Sequence, residues 1–73
     1  MKYINVDPLI MGGQAVMSGT RFPISQLIAT LAEGTTIDEF VDDYEYPKEL
    51  VVRALHELAD LIRSKEDLYR KEI

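Results

Sequence analysis

Few side chains of this chain are of the types that perform catalysis or hold metals. Its 73 residues include no cysteine and one histidine, His56, which excludes a thiolate metal site and argues against a zinc or iron centre. No serine or cysteine stands at a helical spacing from which His56 could activate it. Asp38, Asp42 and Glu45 could bind a divalent cation, but no further ligand completes a cage, so a solvated helix face is favoured. We therefore predict a protein that is not an enzyme and that holds no metal and no cofactor.

Basic side chains, in contrast, occur at a spacing that predicts nucleic-acid binding. The outer side of a predicted third helix mixes cations and acids: Lys48, Glu49, Arg53, His56, Glu57, Asp60 and Arg63. Lys48 and Arg53 lie in its first half, where the second helix of a helix-turn-helix contacts bases and phosphates. The predicted DNA-binding residues are Lys48, Arg53, His56 and Arg63. The alternative is an ordinary three-helix bundle with a solvated polar face.

Arg21 is a separate candidate, because it is the one basic residue between Lys2 and Lys48. On a glycine-bounded turn, its guanidinium could bind a phosphate or a carboxylate in a bidentate manner. It could equally tie this turn to the acidic second helix through Asp42 or Asp43. We favour the internal role.

The glycines near the N-terminus do not predict a nucleotide site. No Lys-Ser or Lys-Thr pair follows Gly12, Gly13 or Gly19, and the Gly-x-Gly-x-x-Gly pattern is absent. Turn geometry explains these glycines better.

The net charge of −5 is concentrated in one short segment of the chain. Residues 1–34 balance to zero, and from Pro47 onward six basic residues meet six acidic ones. Residues 35–46 carry no positive charge and five acids: Asp38, Glu39, Asp42, Asp43 and Glu45. A strong free-standing DNA-binding protein is usually basic, so this charge counts against DNA binding by the chain alone.

Two further absences suggest where the protein works. No apolar run approaches the roughly 20 residues that span a bilayer, and residues 1–7 lack the apolar stretch of a signal peptide. We expect a cytoplasmic protein that does not bind a membrane.

The elements that position these residues make a single, mostly α domain. Residues 1–24 are predicted to form an N-terminal arm or β-hairpin, in which residues 14–17 pair with a returning strand over residues 21–24. Residues 25–63 are predicted to form a three-helix core of the helix-turn-helix, homeodomain-like type. Residues 64–73 form an amphipathic C-terminal extension.

Local signals mark the ends of the helices. Ser25 is predicted to cap the first helix and Gly34 to end it. Thr36 and Glu39 form a capping-box pair at the start of the second helix. Pro47 is predicted as the first residue of the third helix. The apolar stripe of that helix is Val51, Leu55, Leu58 and Ile62, widened by Ala54 and Leu61.

The end of the chain has two possible structures. Ser64 with Asp67 could cap a new short helix, or the third helix could continue to about Lys71. In either case the apolar positions are not needed for so small a core. We predict that a second chain binds Leu61, Leu68 and Tyr69.

Several motifs closely resemble the family catalogued as domain of unknown function 433. The resemblance covers roughly residues 3 to 60. Its most specific part is Gly-Thr-Arg-x-Pro over residues 19–23, at its spacing to the Gly-Thr-Thr turn at 34–36. The other matching parts are Asp7-Pro8, Gly12-Gly13, residues 16–18, residues 31–34, residues 36–40, Tyr44, Pro47 and residues 52–58.

This resemblance implies a homeodomain-like module behind an N-terminal hairpin. Members of the family often look like antitoxins of bacterial type II toxin–antitoxin pairs, whose partner is a small PIN-like nuclease toxin. We therefore expect a homodimeric antitoxin that binds its cognate toxin and its own operator DNA. The alternatives are a stand-alone helix-turn-helix transcriptional regulator and an interaction module that does not bind DNA.

Overall fold

The computed structural model describes the backbone of residues 1–72 and the side chains of residues 1–66. The chain is mostly helical, with a small sheet near the N-terminus. In chain order the elements are β1 (Ile4–Val6), a short 3-10 helix (Met11–Gly13), β2 (Ala15–Met17), α1 (Ile24–Ala32), α2 (Ile37–Tyr44) and α3 (Lys48–Glu72). The prediction of three helices behind an extended N-terminal segment is confirmed.

The sheet differs from the predicted hairpin. β2 pairs antiparallel with β1, so that Ile4 lies opposite Met17 and Val6 opposite Ala15. The chain does turn back after β2, but residues 21–24 form no strand and contribute one isolated bridge between Val16 and Pro23. Pro23 has no N–H to extend that ladder, and α1 begins at the next residue.

The start of α1 also corrects a prediction. Pro23, in extended conformation, occupies the N-cap position, and its carbonyl accepts from the Leu27 N–H at 3.1 Å. Ser25 therefore lies inside the first turn and does not cap the helix. Gly34, with φ of 108°, follows the end of α1, and its N–H donates to the Leu31 carbonyl, as predicted.

The capping box of α2 is confirmed. The Glu39 N–H donates to the Thr36 hydroxyl oxygen, and the Thr36 N–H donates to the Glu39 carboxylate, both at 3.1 Å. After α2, Glu45 adopts a left-handed φ of 58°, and residues 45–47 make the turn to α3. α3 begins at Lys48, one residue later than predicted, because Pro47 precedes the helix and its carbonyl accepts the first helical bonds.

α3 is one continuous helix to Glu72, so Ser64 does not begin a new one. Its length is about 37 Å, against a longest molecular dimension of 44 Å. No helix within the described residues is long and apolar enough to cross a membrane.

The core lies between the sheet, α1, α2 and the first part of α3. Its buried side chains are Ile4, Val16, Met17, Ile24, Leu27, Phe40, Val51 and Ala54. Leu55 and Leu58 are partly buried against it. Ile62, predicted as part of the buried stripe, is 50% exposed, because the elements that cover α3 end before it.

Candidate nucleic-acid and partner interface

An aromatic cluster fixes the connection between α2 and α3. Phe22, from the turn after β2, lies edge-on to Phe40, Tyr44 and Tyr46, with ring centroids 5.2, 5.0 and 5.9 Å away. Edge-to-face contacts of this kind are favourable beyond the area that they bury. The ring of Phe22 therefore holds the end of α2 and the following turn in one arrangement.

Thr20 determines how the turn presents Phe22. Its hydroxyl donates to the Met17 carbonyl at 2.8 Å and accepts from the Phe22 N–H at 3.0 Å. Gly19 adopts a φ of 77°, which a residue with a side chain rarely adopts. The two hydrogen bonds of Thr20 thus fix the backbone on either side of Arg21.

Arg21 itself is exposed, and within residues 1–66 it forms no ion pair. The favoured internal tie from Arg21 to Asp42 or Asp43 is therefore absent from the structure. The alternative, in which Arg21 contacts a group outside this chain, stays a prediction.

The four predicted DNA-binding residues lie along α3, and three of them contact an acid. Lys48 Nζ is 2.9 Å from Asp38 on α2, Arg53 lies 3.7 Å from Glu49, and Arg63 lies 3.0 Å from Asp60. All six side chains are more than half exposed, and exposed pairs of this kind stabilise by about 1 kcal/mol at most. A phosphate could therefore replace these carboxylates at low cost. The fourth predicted DNA-binding residue, His56, is also exposed.

The acids of α2 and the following turn form an exposed negative surface, which we call the acidic surface: Asp38, Glu39, Asp42, Asp43 and Glu45. Asp38 is engaged with Lys48, whereas Asp42, Asp43 and Glu45 form no ion pair within residues 1–66. Hydrogen bonds from the backbone N–H and the hydroxyl of Thr36 lower the pKa of the Glu39 carboxyl group. Within the described residues, no three acids or histidines come together as a metal site, including the Asp38, Asp42 and Glu45 set.

Glu57 has a role that the sequence did not reveal. Its carboxylate accepts hydrogen bonds from the backbone N–H groups of Lys2, Tyr3 and Ile4, at 2.9 to 3.0 Å. The spacing of residues predicts Glu57 on the outer side of α3, but the N-terminal segment covers this position. No local signal identifies such a contact, since 53 to 55 residues separate the partners.

The predicted partner-binding residues lie on the part of α3 beyond the core. Leu61 and Ile62 are 39% and 50% exposed, and the adjacent Lys65 and Glu66 are exposed as well. The side chains of Leu68 and Tyr69, also predicted to bind a partner, lie outside the described residues.

Comparison with known proteins gives one match. The model of a family described as protein of unknown function (DUF433) matches residues 4–57. The matched region contains the sheet, α1, α2 and the part of α3 up to Glu57. No curated protein and no solved structure matches the chain.

Proposed function

We propose that this chain, which belongs to the DUF433 family of proteins of unknown function, is the antitoxin of a bacterial type II toxin–antitoxin pair. In this function it binds a small PIN-like nuclease toxin and its own operator DNA, and it acts as a homodimer in the cytoplasm. It is a binding protein and not an enzyme.

The observation that carries this proposal is the separation of charge in the chain. The whole excess of five negative charges lies on the acidic surface, and four of its five carboxylates form no ion pair within residues 1–66. A nuclease is basic where it holds RNA, so a partner that blocks this site gains affinity and association rate from an acidic face. The acidic surface is therefore our candidate for the toxin contact.

The arrangement of α2 and α3 supports the DNA-binding part of the proposal. Only residues 45–47 separate the two helices, and a helix-turn-helix needs a turn of about this length. In a homeodomain-like arrangement, α3 is the recognition helix, and Lys48 and Arg53 contact DNA from its first half. The nearby acidic surface weakens such binding, so we expect affinity to depend on two copies engaging two half-sites together.

The first test is capture of the toxin by the tagged full-length chain in its native host, with mass spectrometry of the proteins that co-purify. We expect a small PIN-like nuclease in near-equal amount. The variant Asp42→Lys/Asp43→Lys reverses two exposed charges of the acidic surface and should lose most of the captured nuclease. Glu33→Lys, which reverses an exposed acid outside that surface, is the control and should retain it.

The outcomes separate the proposal from its alternatives. If the folded bait captures no nuclease, the antitoxin function is wrong. If the nuclease is captured equally by both variants, the toxin contact lies elsewhere on the chain.

A stand-alone transcriptional regulator is the second candidate, favoured by the α2–turn–α3 arrangement, and it predicts DNA binding without a nuclease partner. Stable protein complexes without any DNA binding at low salt would instead indicate an interaction module.

A further inference from the structure

Arg21 has a binding capacity that the domain does not use. Its side chain is exposed, and within residues 1–66 its guanidinium forms neither an ion pair nor a hydrogen bond. A guanidinium is always charged and carries five N–H donors in a planar arrangement. Lys48, Arg53 and Arg63 differ from Arg21, because each has a carboxylate 2.9 to 3.7 Å away. A ligand of Arg21 therefore has no acid to displace within the part of the chain whose side chains are described.

Hydrogen bonds order the backbone on both sides of Arg21. The Thr20 N–H donates to the Met17 carbonyl at 3.0 Å, and the Phe22 N–H donates to the Thr20 hydroxyl oxygen at 3.0 Å. The Phe22 carbonyl accepts from the Met17 N–H, also at 3.0 Å. A binding residue on an ordered backbone loses less conformational entropy on binding than one on a mobile loop. The turn thus presents Arg21 at a defined position on the surface.

The turn that carries Arg21 lies beside the N-terminal end of α3. The ring of Phe22, the next residue, is 5.9 Å from the ring of Tyr46, and Lys48 begins α3 two residues after Tyr46. Phe22 also contacts Tyr44 at the end of α2, so the aromatic cluster holds this turn against the α2–α3 connection. In a helix-turn-helix, the N-terminal end of the second helix faces DNA, and contacts to phosphates fix its register and orientation. Arg21 therefore belongs to the end of the domain that this arrangement places against DNA.

The charge of Arg21 indicates which of the two proposed partners it fits. The acidic surface is complementary to a basic face of the toxin, and such a face carries the same charge as Arg21. DNA, in contrast, offers phosphates, which a guanidinium can bind through two parallel N–H···O bonds. Contacts to phosphates supply a large part of the affinity of proteins for DNA. Charge complementarity therefore favours DNA as the partner of Arg21.

We propose that Arg21 binds a phosphate of the DNA backbone, next to the contacts that α3 makes. This role of Arg21 rests on the DNA-binding part of the proposed function and adds to it a residue outside the α2–turn–α3 segment. Arg21 reads no base and instead positions the N-terminal end of α3 on the duplex. A phosphate contact carries no sequence information, so it is made on operator and on unrelated DNA alike.

Fluorescence anisotropy of the full-length chain with two labelled duplexes tests this contact. One duplex carries the sequence immediately upstream of the gene for this chain, and the other is a mixed sequence of equal length. Arg21→Ala should weaken binding to both duplexes about fivefold to tenfold at roughly 0.1 M salt, because one phosphate contact is lost. The slope of log affinity against log salt should fall by about one unit. Far-UV circular dichroism reports whether the variant is folded.

Two control variants separate a phosphate contact from a general effect of charge or folding. Arg21→Lys keeps the positive charge and should retain the salt slope of wild type, although it loses the paired geometry of the guanidinium. Lys2→Ala removes one positive charge at another exposed position and should leave both affinities nearly unchanged. In the capture experiment, Arg21→Ala should retain the nuclease like wild type, because Arg21 contacts DNA and not the toxin.

A folded Arg21→Ala variant with unchanged affinity and salt slope overturns the proposal. Weaker binding to the upstream duplex alone does so too, because the contact would then depend on base sequence. Loss of the captured nuclease with unchanged DNA binding would instead place Arg21 at the protein partner.

The same measurements distinguish failure of this proposal from failure of the proposed function. If wild type binds neither duplex at low salt, the DNA-binding part of the proposed function fails together with the role of Arg21. If Lys48→Ala/Arg53→Ala weakens binding and Arg21→Ala does not, the role of Arg21 alone fails.

Discussion

At the scale of single residues, Glu57 makes the most consequential contact of the structure. One carboxylate accepts from three successive backbone N–H groups and thereby joins the N-terminal segment to α3. β1 is only three residues long, and a short edge strand of this kind has little stability of its own. We infer that Glu57 keeps β1 on β2.

Glu57→Gln should therefore destabilise the domain. The amide keeps one acceptor oxygen but loses the charge, and a hydrogen bond to a charged group contributes about 1 kcal/mol more than a neutral one. We expect a loss of about 2 kcal/mol in the free energy of unfolding, measured by urea denaturation at a fixed protein concentration.

Glu49→Gln is the matched control for Glu57→Gln, because Glu49 lies on the same helix in an exposed ion pair with Arg53. It should change stability by less than about 0.5 kcal/mol. Equal effects of the two substitutions would contradict the structural role of Glu57.

Neighbouring residues of the motif at residues 19–23 have different roles. Thr20 holds the turn through two hydrogen bonds, and Phe22 joins the aromatic cluster. Arg21, between them, is exposed and has no ion pair within residues 1–66. Hydrogen bonding and packing within the domain therefore account for Thr20 and Phe22, but not for Arg21.

At the scale of elements, α2 is a short helix whose start is stabilised by its capping box. It has eight residues, fewer than an isolated helix needs to be stable in water. The reciprocal bonds of Thr36 and Glu39 satisfy two N–H groups at its start. Hydrogen bonds from Thr36 to the Glu39 carboxylate lower the pKa of that carboxyl group, so the stabilisation is present above the unfolded-state pKa and is lost as the pH falls through the folded-state pKa.

The pH dependence of unfolding checks this role of Glu39. Thr36→Ala should cost about 1 kcal/mol at neutral pH through loss of the cap. The advantage of wild type over Glu39→Gln, which keeps an acceptor without a charge, should be present at neutral pH and decline in acid. Thermal unfolding at several pH values measures both. A Glu39→Gln difference that stays constant through the acid range would contradict this mechanism.

α3 combines two parts with different surroundings. Up to Leu58 it packs against the sheet, α1 and α2, and beyond that residue its apolar side chains are exposed. The first part belongs to the region that matches the family, and the second lies outside it. A single helix thus carries both the proposed recognition residues and exposed apolar residues beyond the core.

At the scale of the whole molecule, the distribution of charge limits how it can bind DNA. The chain carries a net charge of −5, and Lys48, Arg53 and Arg63 on α3 each have an acidic neighbour. Each phosphate contact of these residues must replace such a neighbour, and the acidic surface repels the DNA backbone. We therefore expect operator binding to be weak and strongly dependent on salt.

Lys48→Ala and Arg53→Ala should each weaken binding to operator DNA and lower the slope of log affinity against log salt by about one unit. Lys2→Ala removes the same charge outside α3 and should have little effect. Fluorescence anisotropy over a salt series, with circular dichroism to confirm folding, measures the change. Unchanged affinity of Lys48→Ala/Arg53→Ala at low salt would show that α3 is not the recognition helix.

The amino-acid sequence by itself determined the features that depend on neighbours in the chain. The Thr36–Glu39 capping box, the stop at Gly34 and the three helices follow from residues a few positions apart, and the family follows from several short motifs along the chain. Local hydrogen bonding and backbone conformation decide these features, so a sequence pattern is sufficient to predict them.

Only the tertiary structure decided which distant segments meet. β2 pairs with β1 and not with a returning strand, Glu57 binds the N-terminal backbone, and the core ends at Leu58. Each of these features depends on contacts between residues that are far apart in the chain. The spacing of apolar residues is the same on both sides of Leu58, so it cannot reveal where the covering elements end and an exposed surface begins.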